Sequence, residues 1–187
     1  RSLVYEGDEA LSPASLGPQV KARTAIVDGA SKAYAMTGYR IGFLAAPRAL
    51  AAAVAKLHSQ TTGSPNAVSQ HAFEVGLRTR APEMDEMKRA FHERRDFLVA
   101  GLKQLGLACP TPRGAFYVFP DVSRYLDGRG SAGFSGDLLE QEGLAVVPGA
   151  AFGVDTHVRL SYALGQDAIA EALVRLGRFL ARSARAP

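Results

Sequence analysis

The chain has one cysteine, Cys109, in 187 residues, so no disulfide can form within it and a disulfide-stapled framework is excluded. A buried, unreactive thiol is the expectation for that residue. No apolar run approaches the roughly 18 residues that suggest a membrane-spanning helix, and the first residues lack the layout of a secretory signal. A cytoplasmic protein with no membrane partner is therefore expected. The four histidines, His58, His71, His92 and His157, show no metal-ligand spacing. With no second sulfur and no HExxH pattern beside them, a metal site is not expected. Repeats and long low-complexity linkers are also missing.

Charge is present but dispersed. The net charge of +4 and pI near 9.4 invite a nucleic-acid partner. Yet Lys88, Arg89, Arg94 and Arg95 alternate with Glu86, Glu93 and Asp96, the pattern of a solvated helix face. A second group, Arg175, Arg178, Arg182 and Arg185, falls near the end of the last helical stretch, where cations suit the helix dipole. No recognition motif accompanies either group, so nucleic-acid binding is not expected. The hydrophobic fraction of 47% and charged fraction of 21% are those of an ordinary globular chain.

The apolar pattern predicts buried strands over 23–28 and 40–45, with a loop or short turn over 32–38 between them. Alanine-rich residues 48–60 read as a helix with Pro47 at its first turn, and Ser64-Pro65 restarts a second helix to about residue 77. A longer helix begins at Pro82. Its stripe of Met84, Met87, Phe91, Leu98, Leu102 and Leu105 recurs at helical spacing, and Gly106 is the expected stop. Beyond it come a strand over 115–119, a helix over 134–142, strands over 144–147 and 158–161, and a closing helix over 169–182. Phe116, Tyr117 and Phe119 read as core, and Asn66 and Gln70 as helix-terminus and packing residues. The fold class is thus α/β: the end of one domain (1–80), a connector helix (81–106) and a small α/β domain (107–187). Two strands make a poor sheet unless others flank them, so the chain is expected to be part of a longer protein.

The chemistry concentrates in Asp28-Gly-Ala-Ser-Lys32-Ala-Tyr-Ala-Met-Thr-Gly-Tyr-Arg40-Ile-Gly-Phe43. Lys32 follows an apolar run among small residues that cannot cover it. An amine presented there to a desolvating pocket is a candidate Schiff-base former, and the reading set against it is an exposed surface lysine. Arg40 offers a planar, permanently charged fork to a phosphate, or else pairs with a surface carboxylate. Arg159 lies in an otherwise apolar strand, where burying an unpaired guanidinium is costly. A bound anion or an internal salt bridge would each explain it. The Gly-Ala-Ser-Lys stretch is not a P-loop, since the earlier glycine and the following Ser/Thr are missing.

Four stretches in register, Ser31-Lys32 to Pro47, Gly63-Ser-Pro-Asn-Ala-Val-Ser-Gln70, Gly114-Ala-Phe-Tyr-Val-Phe-Pro120, and Val147-Pro-Gly-Ala-Ala-Phe-Gly153 with Val158-Arg159-Leu-Ser-Tyr162, resemble the class I, fold-type I aminotransferases of the aspartate aminotransferase-like branch. The resemblance implies the C-terminal part of that fold: the end of the large-domain sheet, the connector helix and the small domain. It implies pyridoxal 5′-phosphate as cofactor, Lys32 as its Schiff-base lysine and proton shuttle, Arg40 on its phosphate and Arg159 on the substrate α-carboxylate. The substrates would be an amino acid and a 2-oxo acid, and the whole enzyme a homodimer.

The resemblance also implies that the phosphate loop, the ring-stacking aromatic and the aspartate on the pyridine nitrogen precede Arg1, so that this piece alone is inactive. One departure is Gly29, where many relatives have a phosphate-binding serine; its backbone N–H is expected to serve instead. No arginine falls near residues 56–63, where dicarboxylate-specific relatives keep one. Alternatives of the same fold are a β-lyase, an aminocyclopropane-carboxylate-synthase-like enzyme, and the effector domain of a transcriptional regulator.

Overall fold

The computed structural model describes residues 3–5, 7, 9–79 and 82–183. It forms two compact units, Arg1–Lys88 and Arg89–Pro187.

The first unit contains α1 (Pro18–Lys21), β1 (Ile26–Gly29), α2 (Ala30–Ala33), β2 (Gly42–Ala45), α3 (Arg48–Thr61), α4 (Ala67–Arg78) and the beginning of α5 (Pro82–Gln104). β1 and β2 pair antiparallel, with Ile26 opposite Ala45 and Gly29 opposite Gly42. Both strands are shorter than the sequence predicts and neither is buried, Val27 being 81% exposed. Apolar residues on both faces mark a strand that needs neighbours on every side; among the described residues each has one. The predicted loop becomes one turn of α2 and a 3₁₀ turn at Thr37–Tyr39. Pro47 is the N-cap of α3 and not within its first turn. α4 starts at Ala67 and not at Ser64-Pro65, because the Asn66 side chain accepts from Ser69 N at 3.1 Å and an asparagine cap is a strong start signal. Ala30, Ile41 and Phe73 form a small buried cluster with Tyr34 and Met36 against it.

The second unit holds the rest of α5, then β3 (Tyr117–Val118), α6 (Gly130–Glu142), β4 (Val147–Pro148), β5 (Val158–Ser161) and α7 (Gln166–Ser183). Its antiparallel sheet has the order β3-β5-β4. The predicted strand over 115–119 contracts to two residues, since Ala115 is left-handed at φ 62° and leaves the extended region. The strand over 144–147 also contracts, to Val147–Pro148, whereas β5 matches its prediction. Leu98 and Leu102 of α5 meet a core that includes Val118, Leu138, Leu160, Leu176 and Phe179, all under 9% exposed. α5 stops at Gly106 with φ 75°, as the glycine predicts.

One charge reading needs correction, and another gains partners. Arg95 is 1% exposed and not part of a solvated face; its guanidinium donates to Pro112 O at 2.8 Å and pairs with Asp96 at 2.7 Å, which meets the cost of burying it. Arg178 and Arg182 bind the Glu142 carboxylate, and Arg175 donates to the Glu142 carbonyl at 2.9 Å, so they fasten α7 to the end of α6. Arg185 lies outside the described residues. Cys109 is half-buried and not buried, although desolvation still pushes its thiol up. Among the described residues no helix is long and apolar enough to cross a membrane.

Candidate active site

The first cluster of candidate residues is built by the β1–β2 ribbon. β1 ends at Gly29, and α2 carries Lys32 one turn later. The ladder extends one step past the strands, with Ala30 N donating to Ile41 O at 3.2 Å. Because Gly29 faces Gly42, Lys32 and Arg40 both belong to the same end of the ribbon. The close approach there requires glycine: a Cβ on Gly42 would lie 2.7 Å from the Asp28 carbonyl oxygen.

Beneath this end, Tyr34 meets Phe73 edge-on at 5.7 Å. Its ring lies against Gly76, where a Cβ would come within 3.1 Å. Burial of Ala30 and Ile41 fixes the residues beside Lys32 and Arg40, so short segments hold both despite having little core. Lys32 is itself exposed, so this unit does not supply the desolvation that the sequence reading invoked.

Arg40 carries backbone strain. Its φ of 49° and ψ of 47° are left-handed, a conformation that costs a non-glycine residue about 1–3 kcal/mol and concentrates at functional sites. One guanidinium nitrogen donates to Thr37 O at 3.0 Å, and the side chain is otherwise exposed. The Gly29 N–H, expected to face a phosphate, instead donates to Asp28 Oδ1 at 2.7 Å. The donor set at this end still fits pyridoxal phosphate: a primary amine suits its aldehyde and a guanidinium its phosphate.

Arg159 belongs to the second unit. It is half-buried on β5, and its guanidinium carbon lies 4.4 Å from the Tyr117 ring centre and 4.9 Å from that of Phe152. Among the described residues no carboxylate pairs with it, so the internal salt bridge weighed from the sequence is not formed. Two ring faces stabilise the cation while leaving its hydrogen-bonding edge uncompensated. That arrangement suits a planar anion such as a carboxylate.

The family model for aminotransferases of class I and II matches residues 2–176. The chain belongs to the class I and II aminotransferase family. It is 39% identical to the aspartate/prephenate aminotransferase of Cereibacter sphaeroides, over 96% of this chain and 47% of that protein. Among solved structures it resembles the aspartate aminotransferase of Rhizobium meliloti, with a TM-score of 0.88, 40% identity, and 97% of this chain and 48% of that one covered. It also resembles the aromatic aminotransferase of Pyrococcus horikoshii OT3, with a TM-score of 0.91, 34% identity, and 98% and 49% covered. The chain therefore spans about half the length of the relatives it matches, and its architecture is an α/β part of the aminotransferase fold.

In this aminotransferase-family chain the sequence singles out Lys32, Arg40 and Arg159, but not the rings that flank Arg159. Tyr117 was expected in the core and is half-buried against the guanidinium. Phe152 stood only as one letter of a glycine-rich stretch. The missing information is the register, Tyr117 opposite Ser161 and Val118 opposite Leu160, which no local pattern specifies.

Proposed function

We propose that the protein containing this chain is a pyridoxal-phosphate-dependent aminotransferase, a cytoplasmic homodimer that moves an amino group from an amino acid to a 2-oxo acid. Lys32 Nζ would carry the cofactor through its aldehyde, and the Arg40 guanidinium would hold its phosphate. The observation that carries this reading is the placement of one exposed amine and one exposed, backbone-strained guanidinium at the Gly29–Gly42 end of the ribbon. Bound pyridoxal phosphate supplies an electron sink that makes the substrate α-carbon acidic.

The remaining work falls to side chains of this chain. Lys32 Nζ takes the α-proton and returns one, and a positioned acid–base group of this kind contributes about 10²–10⁴-fold in rate. Arg159 would donate two parallel hydrogen bonds to the substrate α-carboxylate, which fixes the direction of the Cα–H bond. Tyr117 and Phe152, with ring centres 4.4 and 4.9 Å from the guanidinium carbon, stabilise the cation and restrict its orientation. Relatives named for aspartate, prephenate and aromatic substrates match to similar extents.

The test uses the full-length protein and its Lys32→Ala variant. Both are mixed with pyridoxal phosphate, the visible absorbance is recorded, and an amino-acid donor is added. A band that requires Lys32 and shifts with the donor supports the reading. A band of equal intensity in both proteins removes the assignment of Lys32, and a lysine-dependent band that returns once the donor is consumed, with no 2-oxo acid added, points to a lyase.

A further inference from the structure

We infer that Ser131 and Asp155 are positioning residues for the carboxylate receptor at Arg159: together they clasp the Gly149–Asp155 segment to α6 and thereby aim Phe152 at the guanidinium. This rests on the reading of Arg159 as that receptor.

The clasp begins with a glycine. Gly130 opens α6 at φ 63°, and a Cβ there would collide with the Asp155 carboxylate. With that space free, Asp155 Oδ1 accepts from Ser131 N at 2.9 Å and from the Ser131 hydroxyl at 2.6 Å. The carboxylate thus caps a helix N-terminus from 24 residues away in sequence, where a negative charge is favoured. The same hydroxyl accepts from Ala150 N at 3.1 Å. Ser131 has no exposed surface, and its hydroxyl both donates and accepts within the protein.

One hydroxyl therefore ties down Ala150 and Asp155, which bracket Phe152. Gly149 completes the anchorage: its N–H donates to His157 O at 2.8 Å and its carbonyl accepts from Val154 N at 3.1 Å, while a Cβ would run into the Val154 and His157 carbonyls. Phe152 itself is 47% exposed, too much for its own burial to fix its place. It meets Phe119 perpendicularly at 5.9 Å and faces Arg159. The ring is thus placed by its backbone, and the backbone by Ser131 and Asp155. The hydrogen bonds from Ser131 also hold the Asp155 carboxyl below the usual carboxylate range.

The test uses the full-length, cofactor-loaded protein, measuring KM and kcat for an amino-acid donor, competitive inhibition by propionate as a bare carboxylate probe, and the thermal midpoint. Phe152→Leu, at an exposed position that does not threaten folding, is expected to raise KM and the propionate inhibition constant about tenfold with kcat within about twofold. Ser131→Ala and Asp155→Ala should each reproduce that split, and Asp155→Asn, which keeps an acceptor, should show a smaller rise in both constants than Asp155→Ala. The double variant Ser131→Ala/Phe152→Leu should be no worse than Phe152→Leu alone, the signature of one residue acting through another.

Two results overturn the clasp. In one, Ser131→Ala lowers the thermal midpoint but moves neither constant; in the other, the two substitutions add fully. Arg159→Lys separates the underlying reading: if it leaves both constants unmoved, the receptor assignment fails, whereas if it raises both while Ser131→Ala and Phe152→Leu do not, only the clasp fails.

Discussion

The two units hold their candidate residues in different ways. In the second, Arg159 lies on a strand whose neighbours Val158 and Leu160 are buried in a core shared with α5, α6 and α7. In the first, Lys32 and Arg40 sit at the end of a two-stranded ribbon, and large apolar residues remain open, Val27 at 81%, Val68 at 71% and Leu57 at 64%. A lone two-stranded ribbon is marginal in water. Local geometry makes up for the thin core: paired glycines, a ring packed on Gly76, and a left-handed Arg40 pinned to Thr37 O. A residue can be placed accurately by a few close contacts even where the unit around it buries little, but its stability then depends on whatever else covers those faces.

The sharpest way to break this contrast is to remove the chemistry without touching a core. Lys32→Ala in the full-length protein is expected to lower transamination at least 10²–10⁴-fold, roughly the worth of a positioned acid–base group. Measured without cofactor, the unfolding midpoint should stay close to that of the unaltered protein, and a large loss there would show that Lys32 has a structural task. The opposite change is Leu102→Ala. With no exposed surface, it is expected to cost about 2–5 kcal/mol in urea unfolding of the 187-residue chain.

Val27→Ala sharpens the comparison further. In the 187-residue chain it should change stability by less than about 0.5 kcal/mol, as open surface positions do. In the full-length protein, where further strands are expected to cover it, the loss should rise to about 1.5 kcal/mol. Equal effects in both chains would mean that this face stays open and that the apolar pattern of β1 serves another purpose.

That pattern also shows what the sequence can and cannot convey. The run Thr24-Ala-Ile-Val27 correctly marked a strand, yet its burial was misread because a hydrophobic run reports the environment a strand needs and not the neighbours at hand. Helical spacing located α5 from Pro82 and its stop at Gly106, since both signals are local. Arg95 went the other way: surrounded in sequence by charges, it is buried, because its partner Pro112 O lies 17 residues on. Lys32, Arg40 and Arg159 were legible as out-of-place charges beside small or apolar residues. Tyr117 and Phe152 were not, because their role comes from a cross-strand register and a loop closure that only the folded chain defines.

The smallest effect expected concerns Glu142 at the end of α6. Its side chain is 5% exposed, accepting from Arg178 at 2.9 Å and from Arg182. The bond from Arg182, and after it that from Arg178, hold the carboxyl below its ordinary range against the opposing pull of burial. A carboxyl lowered on folding contributes stability that is fully present above its unfolded value of about 4.3 and is lost as pH falls through the lower folded value. Glu142→Gln should therefore lower the thermal midpoint at neutral pH, and the two curves should converge as acid protonates Glu142. Both arginines are half exposed, 54% and 52%, so solvent and salt screen the pair and the gap should shrink as salt is added. Curves that stay parallel down to about pH 3 would show that the Glu142 charge contributes nothing to holding α6 against α7, leaving the packing of Leu138, Leu176 and Phe179 to do so.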